Sequence, residues 1–299
     1  MKGLIVINAN GFSEESFKQV SALKSKFDER SVAIDIRTNS DLLTYIDSDG
    51  NIFKDHLMKY DFVVYLDKDP YIAFLIQKLG IRMFNSASSI YLCDDKMLTH
   101  IALANSNIKM PKTIASPLVY DHFHDDDFKK KIMKEFTFPL IVKEVYGSLG
   151  LRVHLINDEY ELDNIMKKLE RVPHIYQQFI KSSYGVDIRV IVINHKVVAK
   201  MKRIAKDDFR SNIHLGGKGE KIDLDPRFSK MAIDASKILG LDYCGVDILI
   251  GEEGEPILCE VNSNAFFDHI SKISGVDVAK TYVDYIIKCM NRKKKGTKL

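Results

Sequence analysis

The 299-residue chain has no run approaching the 18 or so consecutive apolar residues of a membrane-crossing helix. Its N-terminal apolar run, Leu4–Ile7, stops at Asn8, which is too short for the core of a secretory signal. Both absences lead to an expected location in the cytoplasm. Cysteine is scarce: Cys93, Cys244, Cys259 and Cys289 show no CxxC spacing. Scattered cysteines of this kind are expected as reduced core residues, and a zinc site is not indicated. Sixteen glycines and seven prolines exclude a collagen-like or low-complexity chain. What remains, 45% apolar and 28% charged, is a globular composition at a length suited to about two domains.

The charge balance excludes a further class. The formal charge of +3 becomes −2 without the five cations Arg292, Lys293, Lys294, Lys295 and Lys298. The basic excess therefore belongs to the end of the chain, read as a flexible solvated tail over 291–299, and no nucleic-acid partner is expected.

Apolar strands at 4–7, 32–36 and 62–66 alternate with helical patterns at 13–27 and 71–79. That alternation predicts a small parallel α/β domain over residues 1–88. The loop Asn8-Ala9-Asn10-Gly11 follows the first strand, where such sheets often bind ligands; a plain turn fits it equally. Asp94 is read as the cap of a helix to about Asn105, with Met97, Leu98, Ile101 and Ala102 as its apolar stripe. Lys96 lies off that stripe in the first turn, where a cation opposes the helix dipole. It is either an exposed lysine or the partner of a bound anion.

A second domain is expected over 89–290, with a small lobe at about 110–175 and a large lobe at about 176–290. Its strands are read at 139–145, 151–156, 175–180, 186–193, 196–203, 243–250 and 256–261, and its helices at 158–170, 228–239 and 276–290. His122, His124 and four aspartates within 121–131 are read as a polar turn into a helix, not a metal site.

Three places carry chemistry. In the last hairpin, a turn centred on Glu253–Gly254 sets Asp247 opposite Glu260, and Asn262 joins Glu260 by the period of two. Facing carboxylates about 5 Å apart repel. A hard divalent cation on oxygen ligands would remove that penalty; the alternative is an exposed acidic edge. The loop Gly147-Ser148-Leu149-Gly150 follows Lys143 and lets backbone N–H groups approach an anion, or serves only as a turn. It is neither GxxxxGK[ST] nor GxGxxG. In VDIRV at 186–190, Asp187 and Arg189 share a face; a turn at Asn194–His195 predicts Arg189 opposite Lys200 and Asp187 opposite Lys202. Lys202, Arg203, Lys206 and Arg210 then cluster beside Ser211 and Asn212. That composition suits a polyanion, nucleic acid and a nucleoside triphosphate alike, and it lacks the interleaved aromatics of a single-strand binder.

The motifs DDK at 94–96, PLIVKEVYGSLG at 139–150, YQQFI at 176–180, YGVDIRV at 184–190, DFRSNIHLGGKG at 208–219, CGVDIL at 244–249 and EVNSN at 260–264 occur in one order. In that order they resemble the RimK-like ATP-grasp ligases over about residues 90–290. The resemblance implies an α/β ATP-grasp fold, a small parallel N-terminal domain followed by two lobes clasping ATP. It implies an ATP-dependent carboxylate–amine ligase that works through an acyl phosphate and releases ADP and phosphate. Lys96 and Lys143 would meet the ATP phosphates beneath the loop of Gly147, Ser148 and Gly150. Gln178 and Phe179 would border the adenine, and Asp187 would contact the nucleotide. Arg210, Ser211 and Asn212 would cradle the phosphate and acyl phosphate, with Arg189 and Arg203 beside them in catalysis. Asp247, Glu260 and Asn262 would hold Mg²⁺ or Mn²⁺, two ions in all.

The implied partners are ATP, a carboxylate and an amine supplied by an amino acid, a peptide or a protein C terminus. The resemblance leaves a homo-oligomer open. Two departures qualify the substrates. Ser263-Asn264-Ala265-Phe266-Phe267 stands where the members that add glutamate to a ribosomal protein carry a Ser-Pro-Gly-containing stretch, and Gln178 replaces an acidic hinge residue. Glutamate addition therefore stands beside other amino-acid or peptide ligations. A nucleotide-binding regulator without turnover is disfavoured by the intact Asp247, Glu260 and Asn262.

Overall fold

The computed structural model describes residues 1–11, 13–53, 56–120, 126–212 and 216–296. The histidine-rich turn at 121–125 lies outside the described residues. Strands β1 (Lys2–Ile7), β2 (Ala33–Thr38), β3 (Phe62–Tyr65) and β4 (Arg82–Phe84) form a parallel sheet in the order β2-β1-β3-β4. Leu4, Ile5 and Val6 are fully buried because helices cover both faces, which is why the strand reads as an unbroken apolar run. Helix α1 (Glu14–Asp28) starts at Ser13, whose hydroxyl accepts from the Ser16 N–H. Helix α2 (Pro70–Lys78) is capped by Asp69 and opens on Pro70, which needs no N–H partner there.

Helix α3 (Ala87–Asp94) has no single apolar stripe and gave no periodic signal. Helix α4 (Lys96–Leu103) corrects two expectations. Its cap is Asp95, not Asp94, and its carboxylate accepts from the Met97 and Leu98 N–H groups. Its buried residues are Thr99, His100 and Leu103, while Ile101 is exposed. The polar pair is buried because it is satisfied: Thr99 Oγ1 donates to the Leu92 carbonyl, and His100 bonds the Lys96 carbonyl and Gln177.

A second sheet contains β5 (Thr113–Ala115), β6 (Leu140–Glu144), β7 (Val153–Ile156) and β8 (His174–Gln178), in the order β5-β8-β6-β7. Helices α5 (Asp126–Glu135) and α6 (Glu159–Lys168) close its core of Ile132, Val142, Leu162 and Tyr176. The expected lobe boundary at 175/176 falls inside β8. That whole strand pairs with β5 and β6, so the chain leaves this sheet only after Gln178.

The third sheet is antiparallel: β9 (Val186–Ile193), β10 (Lys196–Ile204), β11 (Lys218–Glu220), β12 (Tyr243–Ile250) and β13 (Pro256–Asn262), in the order β11-β10-β9-β12-β13. Helix α7 (Pro226–Ile238) covers one face with Phe228, Met231, Ala232 and Ala235; Ile238, expected on that stripe, is exposed. Helices α8 (Asp268–Ser274) and α9 (Val278–Gly296) serve a core that Phe62 and Phe84 of the first sheet share with Ile191, Tyr243 and Tyr282. The N-terminal sheet is thus fused to the large lobe through one apolar core, and the site sits on a rigid frame. Helix α9 runs to Gly296, so the segment expected to be a flexible tail from 291 is helical as far as it is described. No helix among the described residues is long and apolar enough to cross a membrane.

Candidate active site

Two bulges decide which side chains meet. Near its turn, the β12–β13 hairpin pairs Ile250 with Pro256 and Ile248 with Leu258, so the turn centres on Glu253, half a residue before the expected centre, which shifts the pairing by one. Gly254 takes a positive φ of 73° there. A bulge at Cys259 then restores the alignment, and Asp247 faces Glu260 as expected.

The β9–β10 hairpin turns at Asn194–His195, as the sequence indicates, but a bulge at Val198 moves every later pair by one. The expected partners are corrected: Asp187 faces Arg203, not Lys202, and Arg189 faces Met201, not Lys200. The extra residue turns Arg203 inward against Asp187, and each is about 95% buried.

The result is a buried network of two carboxylates and two guanidinium groups. Arg203 Nε donates to Asp187 Oδ1 at 2.7 Å, and its Nη2 reaches Asp247 Oδ2 at 3.0 Å. Arg189, across the strand from Asp247, donates to both of its oxygens, with Nη2 to Oδ2 at 2.6 Å. Burial alone would push the Asp247 carboxyl up. The charges of Arg189 and Arg203 outweigh it and hold the group below the ordinary carboxylate range. Burial likewise opposes the Arg203 charge, and Asp187 and Asp247 overcome it, raising that guanidinium above its ordinary value. The Asp247–Glu260 repulsion, which a divalent cation was expected to remove, is already offset on the Asp247 side by the two arginines.

Two lysines are arranged differently. Lys143 on β6 is buried, and its Nζ donates to Gln177 Oε1 at 2.7 Å. Lys96 Nζ donates to the carbonyls of Val145 and Gly147, at 3.3 and 3.0 Å. Burial lowers the Lys96 ammonium from its ordinary value; nearby Glu260 opposes that and Lys143 adds to it. Among the described residues neither lysine touches a carboxylate. Glu260 and Asn262 present side-chain oxygens that no described group engages, and they share a face of β13.

A cleft between the second and third sheets gathers these groups. Of the residues singled out from sequence, it is lined by Lys143, Gly150, Gln178, Phe179, Asp187, Arg203, Arg210, Ser211, Asn212, Asp247 and Glu260. Lys96, Gly147, Ser148, Arg189 and Asn262 are not on that lining: Lys96 grips the loop backbone, Arg189 holds Asp247, and Asn262 faces Gly245. Arg210 pairs with Asp208 and donates to the Gly150 carbonyl at 2.7 Å. Gly150 has a φ of 75°, and a Cβ there would lie 2.9 Å from Asn212 Oδ1, so only glycine brings the loop this close. Gln177, Phe209 and Cys259 line the cleft without having been singled out. Gln177 was legible by alternation, because it shares a face with Lys143 across the β6–β8 pairing.

Comparison with known proteins identifies the family and the fold. The RimK-like ATP-grasp domain pattern matches residues 93–286. The chain is similar to N-acetylaspartylglutamate synthase A of Homo sapiens, 33% identical over 77% of this chain and 58% of that protein. It is similar to the probable alpha-L-glutamate ligase 2 of Pseudoalteromonas atlantica, 34% identical over 74% of this chain and 72% of that one. Among solved structures it is similar in fold to D-alanine–D-alanine ligase from Bacillus anthracis complexed with ATP. The TM-score is 0.74 at 20% identity, covering 99% of both chains. The chain thus spans a little over half the length of the human relative.

Proposed function

The chain belongs to the RimK-like ATP-grasp family, and on that premise we propose that it is an ATP-dependent carboxylate–amine ligase that forms an amide bond through an acyl phosphate. The observation that carries this reading is the pair of lysines. Lys96 and Lys143 are withdrawn from water yet donate to neutral groups. A buried cation that touches no carboxylate is costly, and a triphosphate supplies the direct partner. The other cations of the cleft are already neutralised, Arg203 by Asp187 and Asp247 and Arg210 by Asp208. They orient the site without opposing one another. Phe179 and Phe209, 6.3 Å apart between ring centres, give the base an apolar wall.

A divalent cation fits the residues that remain. Glu260 and Asn262 offer unengaged oxygens on one strand face, the donor type that Mg²⁺ or Mn²⁺ prefers. Among the described residues no group of three or more His, Cys, Asp or Glu forms a cage; Glu260 and Asn262 would hold the ion, with phosphate oxygens of the nucleotide as the further donors that Mg²⁺ commonly takes. When bound it supplies charge neutralisation for phosphoryl transfer. Glutamate is the substrate common to the names of the two relatives above and is the first amine to try.

The test is release of phosphate from ATP with a panel of carboxylates and amines, hydroxylamine included as an amine that any acyl phosphate accepts. A carboxylate-dependent hydroxamate with ADP and phosphate as co-products is expected. AMP and pyrophosphate, the products of adenylation, would overturn the reading.

A further inference from the structure

The strand order of the parallel N-terminal sheet switches sides between β1 and β3: the chain goes from β1 to β2 on one side, and β3 and β4 lie on the other. Open α/β sheets bind ligands in the crevice beyond the C-terminal ends of the strands at such a switch. Here Asn8 follows β1 and Asp67 lies just beyond β3, and Asn8 Nδ2 donates to Asp67 Oδ1 at 3.1 Å. The Lys68 N–H donates to the same oxygen at 2.7 Å. The other oxygen, Oδ2, is buried and has no hydrogen-bond partner, in a residue only 6% exposed. An unbonded carboxylate oxygen shut away from water is destabilising, and such a group calls for an explanation.

Its chain neighbours tie it to the cleft. On one side, the Leu66 carbonyl accepts from Asn264 Nδ2 at 2.8 Å, two residues beyond Asn262. On the other, Lys68 Nζ reaches Asp94 at 2.5 Å and Ser148 Oγ of the glycine loop at 3.1 Å. Asp67 therefore stands between the end of the β12–β13 hairpin and the loop over the phosphates. In the proposed reaction the triphosphate answers Lys96 and Lys143, and the divalent cation answers Glu260. The negative charge of Asp67 is left over. It calls for a cation with N–H donors, because Asn8 and the Lys68 N–H have fixed one oxygen and left the other free to accept.

We propose that Asp67, oriented by Asn8, receives the ammonium group of an α-amino acid that serves as the amine substrate. This rests on the ligase reading. An ammonium carries three donors and a full charge, and its hydrogen bond to a carboxylate is of the strong, charge-assisted kind. Because Oδ2 lies beneath the surface, the proposed contact requires residues 66–69 to shift on binding. Binding is the only role assigned to Asp67.

Calorimetric titration of the twenty proteinogenic amino acids into the full chain holding Mg²⁺ and a non-hydrolysable ATP analogue tests the assignment. At least one should bind, and Asp67→Asn should weaken the tightest of them about tenfold or more, as expected for loss of a charged hydrogen bond. Affinity for the ATP analogue should stay within about twofold. In the wild type, the 2-hydroxy analogue of that amino acid, which lacks the ammonium, should fail to compete; this arm needs no variant to fold. Unchanged affinity in Asp67→Asn, competition by the 2-hydroxy acid, or no binding by any of the twenty would overturn the subsite. The hydroxylamine reaction separates the two readings, since it bypasses the amino acid. Hydroxamate formation should survive in Asp67→Asn, and its loss there in step with amide formation would contradict the subsite alone. Its absence in the wild type would remove the ligase reading and the subsite with it.

Discussion

Glu260→Gln should lower Mg²⁺-dependent ATP turnover about 100-fold or more, the scale of losing nearly 3 kcal/mol of charge stabilisation. The substitution keeps shape and removes one charge. Among the described residues no group bonds the Glu260 side chain, so no structural contact is lost and the melting temperature should hold within a few degrees. Asp247→Asn is a different perturbation, because Asp247 carries the charge that Arg189 and Arg203 share. It should lose stability as well as activity, and a double-variant comparison would mix the two effects. Turnover against Mg²⁺ concentration, with melting curves for each variant, checks this. Near-normal turnover in Glu260→Gln at every Mg²⁺ concentration would remove Glu260 from the metal site.

Arg203→Met should be the most destabilising single change in the cleft. Arg203 is about 95% buried and binds Asp187 and Asp247, themselves buried to the same degree. Removing one member of a buried ionic network strands the others and costs about 3–5 kcal/mol. For a chain of this size that is a fall in melting temperature of about 5–8 °C. The deficit should narrow in acid. Asp247 titrates below its ordinary value in the fold, so its pairing stabilises the wild type fully above the ordinary carboxylate range and is lost as pH falls through its depressed folded value. The variant keeps Arg189 on Asp247 and loses only the share that Arg203 supplies, so the gap between the two melting curves should narrow below about pH 4. An equal melting temperature at pH 7 would show that Arg203 is dispensable to the fold.

The sequence displayed much of this site because strands repeat every two residues and the chemistry sits on strands. Asp247, Glu260 and Asn262 share a face in the fold as the period of two requires. The alignment was legible only because two departures cancel: the turn is centred half a residue earlier than expected, which shifts the pairing by one, and the Cys259 bulge gives that residue back. On β10 nothing cancels the bulge at Val198, so Lys200 and Lys202 were placed where Met201 and Arg203 stand. A bulge has no composition of its own and is decided by what becomes buried. The three-residue strands β4 and β5 and the two-sided helix α3 are too short or too evenly apolar to show a period. The Asp67 carboxylate belongs to no motif. Its unbonded oxygen exists only once β1 and β3 are side by side.

The central claim is that a carboxylate is activated by phosphoryl transfer in this cleft, and oxygen labelling tests it most directly. With the carboxyl group of a substrate that supports turnover labelled with ¹⁸O, an acyl phosphate passes one labelled oxygen to inorganic phosphate when the amine displaces it. The account predicts one ¹⁸O per phosphate released, with ADP as the nucleotide product. Unlabelled phosphate, or label recovered in AMP, would contradict it.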